Sequence, residues 1–229
     1  MKRVAILQSN YIPWRGYFDL LAAVDEFVLY DDVQYTRNDW RNRNIIKTPH
    51  GPQWLTVPVG ESTHRAIKDV SIADPECGHA HWKRLGRNYA RARHFPQVAE
   101  WLRPLYCDSP WRSLSDVNQR LIRSICDTLG ITTHISRSSD YRLDGDRNER
   151  LIGLCRQAGA STYVSGPSAA AYLDVDAFRD AGMDVCWYDY AGYPDYPQLW
   201  GSFVDNASIL DLLFNCGAEA PRYMKLGAR

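Results

Sequence analysis

Short apolar runs alternate with stretches of helical periodicity along this chain. Residues 4–7 and 27–30 are apolar runs bounded by polar positions, and Phe18, Leu21 and Ala22 between them have helical spacing. This order predicts a strand, a helix and a second strand. Because a helix connects the two strands, they are expected to be parallel, with a right-handed crossover.

The same alternation continues toward the C-terminus. Residues 53–59 alternate between apolar and polar positions, and residues 67–72 are expected to pair with them as a hairpin. A helical pattern over residues 80–105 is interrupted at Pro96, and Ser115 is expected to cap the next helix, which ends at Gly130. Further strands are predicted at residues 131–136, 163–164 and 185–188, and further helices after the capping pair Asp146 and Glu149, after Asp174 and over residues 203–214.

This succession of strands and helices predicts an α/β fold. The expected architecture is a doubly wound, mostly parallel, Rossmann-like sheet with additional helices and an edge hairpin. No stretch has the composition of a linker, so a single domain is expected to span residues 1–229. In such sheets, ligands bind beyond the carboxyl ends of the strands.

Composition and charge limit the possible partners. The chain has 27 basic and 27 acidic residues, so no overall field attracts nucleic acid or an anionic membrane, and neither is an expected partner. The N-terminal apolar run is too short for a signal peptide or an anchor, which predicts a cytoplasmic protein. Six cysteines without a CxxC pair argue against a disulfide framework.

The loop after the first predicted strand is the first candidate binding segment. It leads into a helix N-terminus, where unpaired backbone N–H groups favour phosphate or carboxylate. The alternative is a tight turn in which Pro13 starts the helix and the aromatic rings pack beneath it. The side chains expected to bind substrate are Gln8, Asn10, Tyr11, Trp14, Arg15 and Tyr17.

The second candidate is the acidic pair Asp31 and Asp32, which follows the second predicted strand. Two neighbouring carboxylates can supply a general base, or can bind a cation, an amine or a hydroxyl group. Either residue is therefore a candidate catalytic group. The alternative is that both residues cap the following turn, where Asp is common.

A third segment is rich in cations and amides. Arginine binds carboxylate or phosphate through two parallel hydrogen bonds, and tryptophan offers a flat surface to a sugar or a base. The alternative is an ordinary polar loop. The candidates here are Arg37, Trp40, Arg41, Asn42 and Arg43, and Ser165 after a later strand is expected to reach the same edge of the sheet.

Other patterns in the sequence are less specific for a functional site. Cys77, His79 and His81 have no zinc-site spacing, so no metal site is predicted. The basic stretch over residues 83–93 is interpreted as a solvated helix face, with a nucleic-acid or acidic-partner groove as the alternative. No GxSxG, GxGxxG, phosphate-loop or HExxH motif is present. The expected partner is a small molecule with a phosphate or carboxylate group, while cofactor and oligomeric state are left open.

Several of these segments together resemble the WbqC-like family. The resemblance rests on the run YIPWRGYF over residues 11–18, the tetrapeptide YDDV over residues 30–33, and the sequence WRNR over residues 40–43. Family members typically occur in bacterial gene clusters for O-antigen and other surface polysaccharides and for specialised metabolites, which implies a tailoring enzyme.

Three functions are compatible with this resemblance. The leading hypothesis is a transferase that moves an acyl or aminoacyl group to an amino group of a nucleotide-activated sugar or similar acceptor. In it, Asp31 or Asp32 is the base, and Arg41 and Arg43 hold the anion. One alternative is a non-catalytic sugar- or nucleotide-binding module. The other is a nucleotidylyltransferase-like enzyme, in which Trp14 and Tyr17 stand where the HxGH motif has histidines.

Overall fold

A five-stranded parallel sheet forms the centre of the protein in a computed structural model, which describes residues 1–60, 62 and 64–226. The strands are β1 (Arg3–Leu7), β2 (Glu26–Leu29), β3 (Arg43–Thr48), β4 (Gly51–Thr56), β5 (His134–Arg137), β6 (Thr162–Ser165) and β7 (Asp184–Trp187). The helices are α1 (Arg15–Ala22), α2 (Cys77–Tyr89), α3 (Phe95–Cys107), α4 (Leu114–Leu129), α5 (Arg147–Gln157), α6 (Val175–Asp180) and α7 (Ile209–Cys216).

The strand order in the large sheet is β5-β2-β1-β6-β7, and every neighbouring pair is parallel. In chain order these are the third, second, first, fourth and fifth strands of this sheet. That order is compatible with a Rossmann-like domain. The predicted unit of strand, helix and parallel strand is thus confirmed for β1, α1 and β2.

Two apolar clusters cover the sheet, one on each face. Ala5 of β1 and Phe27 of β2 belong to the cluster that includes residues of α1, α2, α3, α4 and α7. Val4 of β1 and Val28 of β2 belong to the second cluster, with residues of α5 and α6. Successive side chains of a strand point to opposite faces, so strands buried on both sides appear in the sequence as continuous apolar runs.

The predicted hairpin was wrong in one of its strands. The segment that pairs antiparallel with β4 is β3, in a two-stranded sheet of its own, whereas Ile67–Asp69 is a 3-10 helix. Because β3 begins with Arg43 and Asn44, its start was interpreted as part of a polar loop. Only an isolated bridge between Val59 and Ile72 joins the two segments that were expected to pair.

The helix boundaries follow their caps. Ser113, not Ser115, caps α4 by accepting a hydrogen bond from the backbone N–H of Asp116 at 3.3 Å, so the predicted cap was wrong by two residues. Gly130 ends α4 in the left-handed conformation at φ 68°, as predicted. The reciprocal cap of Asp146 and Glu149 at the start of α5 is confirmed. Among the described residues, no helix has the length and apolar character needed to span a membrane.

Candidate functional site

The direction of the strand order reverses between β1 and β6, and a cavity of about 690 Å³ opens there at the carboxyl edge of the sheet. Sheets of this kind bind ligands at such a reversal, because the loops on its two sides diverge and leave a crevice. We call this space the switch-point cavity. Its lining includes Gln8, Tyr30, Arg147, Arg150 and Ser165.

Two arginines from the first turns of α5 line the switch-point cavity. Arg147 lies over the ring of Tyr172, with 4.9 Å between the guanidinium carbon and the ring centroid. Arg150 donates through Nε to the Gly145 carbonyl at 2.9 Å, which fixes the side chain. Its other N–H groups can still donate to further partners. Neither guanidinium forms an ion pair with a carboxylate of the described residues. Both are therefore available to an anionic ligand.

The cap of α5 explains why these arginines, rather than the helix N-terminus, supply the positive charge. Asp146 accepts the backbone N–H of Glu149 at 3.0 Å, so its carboxylate occupies the N-terminal end of the helix. Tyr30 also lines the switch-point cavity. Burial raises the pKa of its hydroxyl, and the neighbouring Arg150 guanidinium opposes that rise. At neutral pH the tyrosine is therefore a neutral hydrogen-bonding group.

Arg41 connects the switch-point cavity to a second concavity. Its guanidinium donates to the Gln8 side-chain oxygen at 3.3 Å and to the Asn10 side-chain oxygen at 2.8 Å. An ion pair with Asp39 at 3.5 Å holds it from a third side. Because Gln8 lines the switch-point cavity and Asn10 lines the second space, Arg41 lies between the two.

The second concavity measures about 280 Å³, and we call it the tryptophan cleft. Its lining includes Asn10, Trp14, Trp40, Asn44, Asp205 and Asn206. Trp40 is 38% exposed, and its ring lies against that of Trp54 with 5.2 Å between centroids. An open aromatic face beside amides and a carboxylate is the combination that binds sugar rings.

The two candidate catalytic carboxylates have partners within the protein. Asp31 is 3% exposed; it accepts the backbone N–H of Ser9 at 2.8 Å and the hydroxyl of Ser115. Asp32 pairs with Lys68 and accepts the Ser138 hydroxyl at 2.6 Å. Neither carboxylate is among the residues that line the switch-point cavity. A catalytic role for either residue stays a prediction.

Three of the binding residues predicted over residues 8–17 are buried in the protein. The Tyr11 hydroxyl contacts His81 Nδ1 at 2.7 Å and the Tyr106 hydroxyl at 3.0 Å. Arg15 is 2% exposed and donates to the carbonyls of Pro194 and Tyr223 and to Asp205. The Tyr17 hydroxyl donates to the Gln8 carbonyl at 3.1 Å, and burial raises its pKa.

The remaining predicted residues divide between the surface and the interior. Arg37 is exposed. Asn42 is buried and donates to the Val57 carbonyl at 2.9 Å. Arg43 donates to the Asn38 carbonyl and covers the ring of Trp54 at 4.2 Å. Ser165 lines the switch-point cavity with Gln8, while Trp14 packs against Tyr190 with 5.5 Å between the ring centroids.

Arg147 and Arg150 were not among the predicted binding residues, although the sequence contained a signal for them. The cap at Asp146 was recognised, and a helix that follows a strand of a parallel sheet starts at the carboxyl edge of that sheet. Two arginines three positions apart in its first turns lie on one side of the helix. Attention to the N-terminus of each predicted helix would have placed them at the ligand-binding edge.

The sheet and its cavity define a parallel α/β protein with a ligand-sized site at the carboxyl edge of the strands. The model of the WbqC-like protein family matches residues 8–223, so the chain belongs to that family. It is 54% identical over 227 residues to "Uncharacterized protein Rv1507c" of Mycobacterium tuberculosis, an alignment that covers 98% of each chain. No solved structure matches the chain.

Proposed function

We propose that this chain is a transferase that modifies a small molecule and binds the phosphate or carboxylate group of its substrate in the switch-point cavity. The observation that carries the proposal is the pair Arg147 and Arg150, which line that cavity without carboxylate partners among the described residues. The volume of about 690 Å³ lies within the usual range of small-molecule sites.

The two concavities together have the polar and aromatic groups to hold one extended substrate. A nucleotide-activated sugar would place its phosphates against Arg147 and Arg150, and its sugar ring would extend past Arg41 toward Trp40. An acyl or aminoacyl donor then meets the amino group of the sugar near Gln8 and Asn10. In this reaction a carbon–nitrogen bond forms, the bond between the acyl carbon and its leaving group breaks, and the proton lost by the amine passes to the departing leaving group or to water.

In this proposal, Asp31 positions the site rather than reacting. It holds the backbone of Ser9, the residue between the cavity-lining Gln8 and the cleft-lining Asn10. A role in the synthesis of surface polysaccharides or specialised metabolites in the cytoplasm is part of the same proposal. Adenylyl transfer is not part of it, because Tyr17 is buried and Trp14 packs against Tyr190.

A non-catalytic sugar- or nucleotide-binding module is the second candidate. It is favoured by the engagement of Asp31 and Asp32 with protein partners, since neither lines the switch-point cavity. Such a module would bind the activated sugar in the same place but would leave it unchanged.

The test combines binding with product analysis. A uridine diphosphate-linked amino sugar is titrated into the protein by calorimetry and is then incubated with acetyl-coenzyme A or an aminoacyl adenylate, followed by mass spectrometry. Arg147→Ala/Arg150→Ala should weaken binding by about tenfold or more, because charge-assisted hydrogen bonds are lost. Arg87→Ala/Arg91→Ala, which removes two exposed arginines near the end of α2, is the matched control and should bind normally.

The outcomes separate the two candidates. Binding together with an acylated sugar of the expected mass supports the transferase. Binding without conversion by either donor supports the module. Equal affinity in Arg147→Ala/Arg150→Ala and in the wild-type protein would contradict both, because neither arginine would then hold the ligand.

A further inference from the structure

A second concentration of positive charge lies between the start of α4 and the end of β5. It surrounds a concavity of about 430 Å³, which we call the arginine cleft. Its polar lining includes Arg112, Arg120, Arg123 and Arg137 beside the single carboxylate of Asp116. In a chain with 27 basic and 27 acidic residues, four guanidinium groups around one cleft are a marked local excess.

The arginines of this cleft have few partners inside the protein. Arg123 donates one N–H to the Ile135 carbonyl at 2.9 Å, which directs its side chain along the cleft toward β5. Within the described part of the chain, none of the four forms an ion pair with a carboxylate. Most of their hydrogen-bond donors are thus free for a ligand with several anionic oxygens.

Gln119 adds an independent observation. It lines the cleft, is 6% exposed, and donates through Nε2 to the Ser115 hydroxyl at 2.9 Å. Ser115 gives its one hydroxyl proton to Asp31, so it must accept from Gln119, which fixes the amide orientation. The Gln119 Oε1 atom is then left without a hydrogen-bond donor among the described residues. A buried acceptor of this kind is expected to find a donor.

We propose that the arginine cleft is a second binding site, specific for small phosphate-bearing molecules that also carry hydroxyl groups. The guanidinium groups bind the phosphate, and a ligand hydroxyl supplies the hydrogen that Gln119 Oε1 lacks. The cleft shares no lining residue with the switch-point cavity, so this site is independent of the proposed function. Its volume of about 430 Å³ lies within the usual range of small-molecule sites.

Calorimetry with ribose 5-phosphate and with inorganic pyrophosphate tests the site. Arg120→Gln/Arg123→Gln should weaken both ligands by about tenfold or more at one site per chain. Arg87→Gln/Arg91→Gln removes the same charge elsewhere and should leave that site unchanged. Arg147→Gln/Arg150→Gln should also preserve it, which separates the arginine cleft from the switch-point cavity.

A further variant tests the role of the unpaired amide oxygen. Gln119→Met should weaken ribose 5-phosphate by several-fold while leaving pyrophosphate affinity unchanged, because pyrophosphate lacks the sugar hydroxyl groups that would donate to the amide oxygen. Thermal melts confirm that each variant is folded. An unchanged isotherm in Arg120→Gln/Arg123→Gln overturns the proposal. So does equal weakening in the Arg87 and Arg91 control, or competition by single-stranded RNA at much lower concentration than either small ligand.

Discussion

The chain around the start of α1 and the first turns of α5 contain similar residue types that differ in burial. Tyr11, before α1, and Arg15, its first residue, are buried, and their polar atoms contact groups of the protein. At the start of α5, Arg147 and Arg150 line an open cavity and have no carboxylate partners among the described residues. Residue type alone therefore does not identify a binding group. Burial and the number of internal partners separate a structural arginine from one that is free to bind a ligand.

The largest expected effect is the loss of stability on replacing Arg15. Its guanidinium donates to two carbonyls and to Asp205, and lies over the ring of Tyr193 at 4.6 Å. Arg15→Ala removes three hydrogen bonds of a charged donor and opens a cavity where the buried side chain packed, so the free energy of unfolding should fall by about 3–5 kcal/mol. Urea unfolding followed by tryptophan fluorescence measures this change.

Arg147→Ala is the matched comparison for the Arg15 variant, because it removes the same side chain from an exposed position. Its free energy of unfolding should change by about 0.5 kcal/mol or less. Similar losses in the two variants would show that the contrast between the buried arginine at the start of α1 and the exposed arginine at the start of α5 is mistaken.

Acid should destabilise the protein through His81. Burial lowers the pKa of His81 to about 4, against an ordinary value of 6.5, while its bond to the Thr56 carbonyl acts in the opposite direction. The unfolded chain then binds a proton that the folded chain does not, so stability falls as pH decreases from 6.5 toward 4. The contribution is about 3 kcal/mol over that interval.

His81→Gln isolates this contribution. Nε2 of His81 must donate to the Thr56 carbonyl, so Nδ1 accepts from the Tyr11 hydroxyl, and a glutamine amide can reproduce both roles without titrating. Stability measured by urea unfolding at several pH values should fall less steeply in the variant. Parallel curves for the two proteins would show that another group controls the acid sensitivity.

Asp31→Asn should have an intermediate effect. The Ser9 backbone N–H and the Ser115 hydroxyl donate to different oxygens of Asp31, and an amide replaces one of these oxygens by a donor NH₂ group, so one hydrogen bond is lost and stability falls by about 1–3 kcal/mol. Ser115→Ala removes the hydrogen bond between the same two residues by deleting the donor hydroxyl. Under the proposed function both variants should reduce sugar binding to a similar extent. Loss of turnover in Asp31→Asn alone, with normal binding, would instead identify Asp31 as the base.

Local patterns predicted the parts of this fold that depend on neighbouring residues. The apolar runs of β1 and β2, the glycine that ends α4, and the reciprocal cap of Asp146 and Glu149 are determined within a few residues of the chain. The hairpin partner was missed because β3 buries the polar residues Asn44, Lys47 and Thr48 together with Ile46 when it pairs with β4. Pattern alone gives no sign of such burial.

The candidate site was harder to predict, because long-range contacts determine which polar residues remain free. Arg15 is buried by carbonyls that lie 179 and 208 positions away in the chain. Ser115 is drawn into the interior by Asp31, 84 positions away, and this leaves Ser113 to cap α4. Gln8 and Ser165, by contrast, follow directly from the strand ends, and the sequence placed both at the edge where the cavity lies.

Of the two acidic residues after β2, Asp32 should give the smaller effect when it is replaced by Asn. Its partner Lys68 is 45% exposed, and the pair is partly screened by water, so the stability change should be about 1 kcal/mol, mostly from the Ser138 contact. The hydrogen bond from Lys68 to Asp32 raises the pKa of the lysine, so the substitution should lower that pKa, which a nuclear magnetic resonance titration detects. Because Asp32 lies outside the switch-point cavity, sugar binding and acyl transfer should remain near the wild-type level. A loss of turnover much larger than the loss of stability would return Asp32 to the catalytic site and would place the reacting groups on the β5 side of β2.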